Sequence, residues 1–286
     1  MNNDENKMTR GKMHHHMECM PLSFADHISM LPENVTAHLK FPPWLRFKLP
    51  YQRKDQAALT DIERERFICA FNVLNQTLLG GISSSSQFGQ LVEIHNVLSI
   101  NHYQHGTLRF LPWHRIYLLI LEQSLRSIHP DVTIPYWDWT QASEQAIPPW
   151  LAGLTPTVVT PTQTINVVRA PGSSADLATL ASNIPSIMLL TDFDTFTSQL
   201  EAVHGGVHVW VGGSMSSIPT APADLIFWMH HANIDRLWWK WQTSPEGQGK
   251  NPNLPGTDPT TSTVMDPWSY TEPQTRDIYS LRYTYV

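Results

Sequence analysis

A chain of 286 residues, 41% hydrophobic and 15% charged, has enough apolar material for one large core or two small ones. Its net charge of −6 brings no basic face, which argues against nucleic acid as a partner, and no apolar run reaches the roughly 20 residues of a bilayer span. The 11 tryptophans and 14 histidines stand out: the first point to a rigid aromatic core or an aromatic-lined pocket, the second to metal ligation.

Residues 1–50 read as a partly disordered N-terminal extension, rich in Met, Pro and polar residues. The opening MNNDENKMTRGKM has no apolar stretch behind it. No signal peptide is therefore expected, and the default location is cytoplasmic, with export alongside a partner as the alternative. Met13 to Met20 reads MHHHMECM, a run of soft and borderline ligands suited to copper capture. A solvated tail is the plainer reading. Cys19 and Cys69 form no CxxC pair, so reduced thiols in a reducing compartment are expected.

A single domain is expected over 51–286. Thr60 and Glu63 form a capping box that opens a helix, and Phe67, Phe71 and Leu74 fall at i, i+4, i+7 on its inner face. Gly80-Gly81 ends it, and serines 83–86 lead to a second helix over about 86–101 that carries His95. His102, His105 and His114 follow. A long helix is expected over 115–128, with Tyr117, Leu118, Leu121 and Leu125 on one side. PDVTIPYWDWT reads as a short extended segment, and 141–190 as an irregular connection with one short helix near 175–182. A third helix over 192–208 points Phe193, Phe196 and Leu200 inward, and Gly212-Gly213 breaks it. A fourth runs over 224–242, followed by a Pro-, Gly- and Thr-rich tail that closes on Tyr283-Thr284-Tyr285. The fold class is mainly α: a four-helix bundle core with long irregular loops and few short strands.

His204 and His208 are four apart, so a helix puts them on one face. With His231 they make a trio, and His95, His105 and His114 make another. Two open choices remain: His230 against His231, and His102 against His95. All-imidazole coordination suits Zn, Cu, Fe or Ni, and three histidines per metal, twice over, favour a binuclear site.

LRFLPWHRIYLLILEQ, TIPYWDWT, HGGVHVWVGGSM and DLIFWMHHANIDRLWWKWQ, in that order, resemble the signature segments of the tyrosinase family of type-3 copper proteins, bacterial-type tyrosinases and catechol oxidases in particular. The resemblance covers about residues 51–286. It implies a four-helix bundle holding two copper ions, Cu-A and Cu-B, with O2 as co-substrate. The implied activity is oxidation of phenols and o-diphenols to o-quinones, as in melanin-like pigment formation. By motif, His95, His105 and His114 would hold one copper, and His204, His208 and His231 the other. Asp235 would hold the helix end beyond His231, with Arg236 free to pair with a carboxylate or face solvent. Phe110 and Phe227 would pack over the ligands, and Val209 and Ile218 would flank the substrate entrance. Arg53 would pair with the C-terminal end of the core. Tyr103 stands where some relatives have a thioether-forming Cys, so no crosslink is expected. Ending after Tyr-x-Tyr, the chain is expected to lack a C-terminal shielding domain.

Glu201 and Gly205 are the catalytic candidates. Efficient monophenol hydroxylases of the family often have Asn or Asp where Gly205 stands, holding a water together with a Glu. Gly205 leaves catechol oxidation intact and weakens the case for hydroxylation. The alternatives are therefore a catechol oxidase or o-aminophenol oxidase, a dioxygen carrier with the same copper pair, and a hydrolytic binuclear zinc enzyme. The expected partners are a small phenolic substrate and a copper-delivery protein, whose role the 13–20 cluster could take over.

Overall fold

The computed structural model describes residues 50–78, 85–97, 100 and 103–286. The Met13–Met20 run, nearly all of the expected extension, the Gly80-Gly81 break and His102 lie outside the described residues.

Strand β1 (Tyr51–Arg53) leads into helix α1 (Asp61–Gln76). The capping box is present: Thr60 Oγ1 accepts from Glu63 N, and the Glu63 carboxylate accepts from Thr60 N at 2.8 Å. Helix α2 (Gln87–Asn96) is capped by Ser86 and stops short of the expected 101. Helix α3 (Phe110–Arg126) starts five residues before Arg115. Pro112 falls inside it, because a proline is tolerated in a first turn, where its missing N–H has no helical acceptor to lose. The 141–190 connection holds more order than expected: a hairpin of β2 (Thr157–Val159) and β3 (Thr164–Asn166), then α4 (Ser174–Ala181) and α5 (Ile184–Ile187). Helix α6 (Phe193–Val211) runs past His208, and α7 (Leu225–Gln242) matches its expected span. The short α8 (Glu272–Thr275) precedes β4 (Tyr283–Tyr285).

Helices α3 and α7 form the central pair, with α6 against both and α1 against α2 and α3. Both central helices are buried on nearly every side, charged residues included. The tryptophans build this core and fasten loops to it. Trp113, Trp137, Trp210, Trp228 and Trp241 donate their indole N–H to the carbonyls of Asp266, Glu144, Ser173, Pro222 and Leu190. Cys69 is disulfide-bonded, which overturns the expectation of reduced thiols; spacing alone cannot pair two distant cysteines. Among the described residues no helix is long and apolar enough to cross a membrane.

β1 pairs in parallel with β4, Tyr51 opposite Tyr283, so the first and last described elements meet. A buried ionic cluster lies beneath them. Arg53 makes a two-pronged pair with Glu122 of α3, at 3.0 and 3.2 Å, and reaches Asp235 of α7 at 3.2 Å. Arg115 of α3 pairs with the other Asp235 oxygen, and Tyr283 donates to Asp235 at 2.7 Å. Tyr285 completes the cluster with hydrogen bonds to Arg53 and Asp235. Burial pushes the carboxyls of Glu122 and Asp235 up. The arginine charges outweigh it, and both stay below the ordinary carboxylate range.

Removing Arg53 takes one cation from each of two buried carboxylates, leaving Glu122 with Arg126 and Asp235 with Arg115. Arg53→Met is expected to cost about 3–5 kcal/mol in urea unfolding at pH 7. Because the folded-state values are depressed, the wild-type contribution is present above the unfolded carboxylate range, near pH 4, and fades as pH falls through the folded values. The gap between wild type and variant should therefore narrow in acid; a gap constant down to the acid transition would contradict this account.

Candidate metal centre

The six expected ligands come from four helices and one turn. His95 closes α2, His114 lies one turn into α3, His204 and His208 share a face of α6, and His231 is in the second turn of α7. His105 lies in the turn before α3. The structure brings them together as two trios. In the first, ring centroids lie 4.9 Å apart for His95–His105, 5.1 Å for His105–His114 and 5.7 Å for His95–His114. In the second, His204 Nε2 and His208 Nε2 stand 3.1 and 3.3 Å from His231 Nε2. His114 and His231 stack at 4.4 Å and join the trios.

Hydrogen bonds set the tautomers. His95 Nδ1 lies 2.8 Å from the Ile218 carbonyl, His114 Nδ1 2.8 Å from Phe110, and His208 Nδ1 3.0 Å from Met215. His204 Nδ1 makes a longer contact, 3.3 Å, to the Glu201 carbonyl. A carbonyl only accepts, so each Nδ1 carries the proton and each Nε2 keeps its lone pair. The Nε2 atoms of His95 and His114 are buried without a protein partner. Burial first, and then neighbouring imidazoles, push His95, His114, His204 and His231 well below the usual histidine range; burial brings His208 to about 4. The rings are therefore neutral at pH 7. In the second trio two imidazole nitrogens converge on His231 Nε2 at 3.1–3.3 Å, and in the first the buried Nε2 atoms of His95 and His114 have no protein partner, so the donor set fits two metal ions.

The two neighbours on α7 divide by chemistry rather than distance. The ligand atoms of His204, His208 and His230 also lie within 4.8 Å of one another. But Trp139 donates its indole N–H to His230 Nδ1 at 2.9 Å. That uses the Nδ1 lone pair and puts the remaining proton on Nε2, leaving His230 nothing to give a metal. It stacks on His204 instead, at 5.1 Å and 7°. His231 lies between His114 and Phe227, whose ring centroid is 4.1 Å away. Phe110 packs on His114 and His204 at 4.8 Å each, so both phenylalanines stand where expected.

A cavity of about 300 Å³ opens beside the trios, lined among others by Glu201, Gly205, Val209, Met215, Ile218 and Phe227. Val209 is 70% exposed and Ile218 41% exposed, so both stand at its mouth. Among its described lining residues Phe227 is the one aromatic besides the histidines, so the described tryptophans serve the core and not the pocket. The Glu201 carboxyl, pushed up to about 7 by burial, accepts from Gly106 N at 2.8 Å. A Cβ at Gly205 would meet nothing within 4 Å. Gly212 and Gly213 take φ of +68° and +55°, and a Cβ on either would strike the carbonyl of Ala170 or Val168.

Asp235 does not line the cavity; it braces α7 from behind through Arg53 and Arg115. Arg236 pairs with Asp138 of the PYWDWT segment at 3.0 Å. Sequence reasoning missed Trp139 as the partner of His230, although YWDWT was visible. It also missed the carbonyls of Ile218 and Met215, which no side chain announces. A second cavity of about 330 Å³, lined in part by Tyr51, Lys54, Glu63 and Asp131, contains no histidine.

The model of the common central domain of tyrosinase matches residues 85–183 and 160–244. The tyrosinase of Streptomyces glaucescens is 29% identical over 277 residues, which is 82% of this chain and 98% of the relative. Among solved structures, a functional unit of octopus hemocyanin superposes with a TM-score of 0.68 at 24% identity, over 82% of this chain and 68% of that one. The tyrosinase of Burkholderia thailandensis superposes with a TM-score of 0.63 at 19% identity, over 83% and 74%.

His231→Ala should retain about one metal ion per chain, because two imidazoles hold an ion poorly. His230→Ala should keep two. Elemental analysis after dialysis checks both, and the reverse order would exchange the roles of the two residues.

Proposed function

The chain belongs to the tyrosinase family, and from that premise we propose that it is a binuclear copper oxidase that converts phenols to o-quinones with O2, with o-diphenols preferred over monophenols. The observation that carries this is an open cavity beside two trios of buried or half-buried imidazoles. His95, His105 and His114 would hold one copper, and His204, His208 and His231 the other. The two ions would supply the redox chemistry, passing electrons from the phenol to dioxygen.

The protein's part is to position the substrate and keep water out. A volume of about 300 Å³ accepts a single-ring phenol, at the small end of ligand clefts. Phe227 offers a ring face within it, and Val209 and Ile218 at the mouth select an apolar ring edge. That exposed mouth favours an enzyme over a dioxygen carrier, which has no use for an entrance sized for phenols. Hydroxylation of a monophenol needs its proton removed, and Glu201 is the carboxylate in the cavity that could hold a water for this. Gly205, on the next turn, brings no amide to orient that water.

We place the protein outside the membrane. The Cys69 disulfide suits an oxidising compartment, so export with a partner fits better than a cytoplasmic stay. A copper-delivery protein would be such a partner.

Initial rates on a catechol should exceed those on the matching monophenol by about tenfold or more, since the general-base contribution is weak. Gly205→Asn has room for its side chain and should narrow that ratio by about tenfold. Equal rates on both substrates without a lag, in protein holding two coppers, would refute the preference.

A further inference from the structure

Two of the three histidines in the first trio stand on helices, and a helix fixes where a side chain starts. His105 does not have that support. It lies in the turn between α2 and α3 and is followed by Gly106, whose φ of +65° turns the chain. Hydrogen bonds inside this turn are local: Thr107 Oγ1 donates to the Tyr103 carbonyl at 2.9 Å, and Arg109 N donates to Thr107 Oγ1 at 3.2 Å. They shape the turn, and Arg109 at its end donates to the carbonyls of Pro259 and Val264, outside α6.

Glu201 supplies an attachment. Its Oε1 accepts the N–H of Gly106, the residue after His105, at 2.8 Å, across 95 positions of sequence. Glu201 is on α6, one turn before His204. The carboxylate stands between two spaces: the histidine cavity, and a smaller one of about 170 Å³ bounded by Thr107, Leu108, Asp194, Thr197 and Ser198. One side chain thus links the turn carrying His105 to the helix carrying His204 and His208.

We propose that Glu201 is a positioning residue: its carboxyl oxygen fixes the His105 turn against α6 and so completes the first metal site at a set distance from the second. The role needs a hydrogen-bond acceptor, not a charge and not a proton acceptor. A protonated carboxyl still offers its carbonyl oxygen, and so does an amide. That separates it from the water-holding role considered for the same residue. The inference rests on the binuclear reading of the site.

The test compares Glu201→Gln, which keeps the acceptor, with Glu201→Leu, which removes it at similar size. Amide hydrogen exchange of the peptide spanning 103–110 is measured in metal-free protein, and bound copper per chain is measured at limiting copper. Outer-anchor losses typically weaken metal binding 10–100-fold. Glu201→Leu should therefore exchange faster around Gly106 and keep about one copper, while Glu201→Gln matches wild type in both. Two coppers bound to Glu201→Leu with wild-type affinity would overturn the proposal. So would a Glu201→Gln variant that behaves like Glu201→Leu, because the role would then depend on charge. Wild-type protein that binds fewer than two coppers would count against the binuclear reading instead, and the exchange comparison, made without metal, would still decide whether Glu201 anchors the turn.

Discussion

Everything at this site depends on where four protons are kept. The Nδ1–H groups of His95, His114, His204 and His208 each face a backbone carbonyl, and this turns the Nε2 lone pairs inward. Two of those carbonyls, from Phe110 and Glu201, belong to the helix of the histidine they hold. The other two, from Ile218 and Met215, belong to the loop between α6 and α7. That loop must be as rigid as a helix, or two of the rings would be free to turn. The glycines at 212 and 213 press it against the carbonyls of Ala170 and Val168, and Trp228 ties it down at Pro222. The tryptophan-rich core and the metal site are therefore parts of one construction, since indole N–H groups hold the loops that hold the imidazoles.

A second constraint sets the spacing of the two trios. Arg115 follows His114 on α3, and Asp235 lies one turn beyond His231 on α7. Their buried ion pair clamps the central helices next to the point where His114 stacks on His231. A buried pair of this kind contributes little net stability compared with apolar packing. Its value here is registry: two helices sliding on an apolar seam could repack, but they cannot do so without stranding a charge. Arg53 extends the clamp to β1, and Tyr283 and Tyr285 extend it to β4. The first and last described elements thus act on a site neither of them touches.

Much of this was legible in the sequence. The bundle followed from periodicity, and the histidine trios from i, i+4 spacing and motif order. Asp235 and Arg53 were both singled out, and they meet in the buried cluster behind α7, away from the cavity. The illegible parts share a cause. Helix α3 begins at Phe110 because a proline fits a first turn, which local propensity does not reveal. The β2–β3 hairpin is three residues per strand and too short for a pattern. The tethering carbonyls have no residue signature at all. Cys69 joined a disulfide that no spacing rule could identify.

The doublet on α7 shows how far distance can mislead and hydrogen bonding can correct. His230 and His231 are adjacent, both are buried, and both come near His204. Adjacent residues on a helix diverge by about 100°, so one must face the pair of trios and the other the flank. The flank supplies Trp139, a residue that can only donate. A donor there fixes His230 Nδ1 as the acceptor, while the flat face of the ring lies parallel to His204 at 7°. His231 has no carbonyl on Nδ1 and is held by ring faces on both sides, His114 and Phe227. His231 is thus set between two rings, stacked on His114 and tilted 36° to Phe227, so the phenylalanine that packs on His231 also lines the cavity.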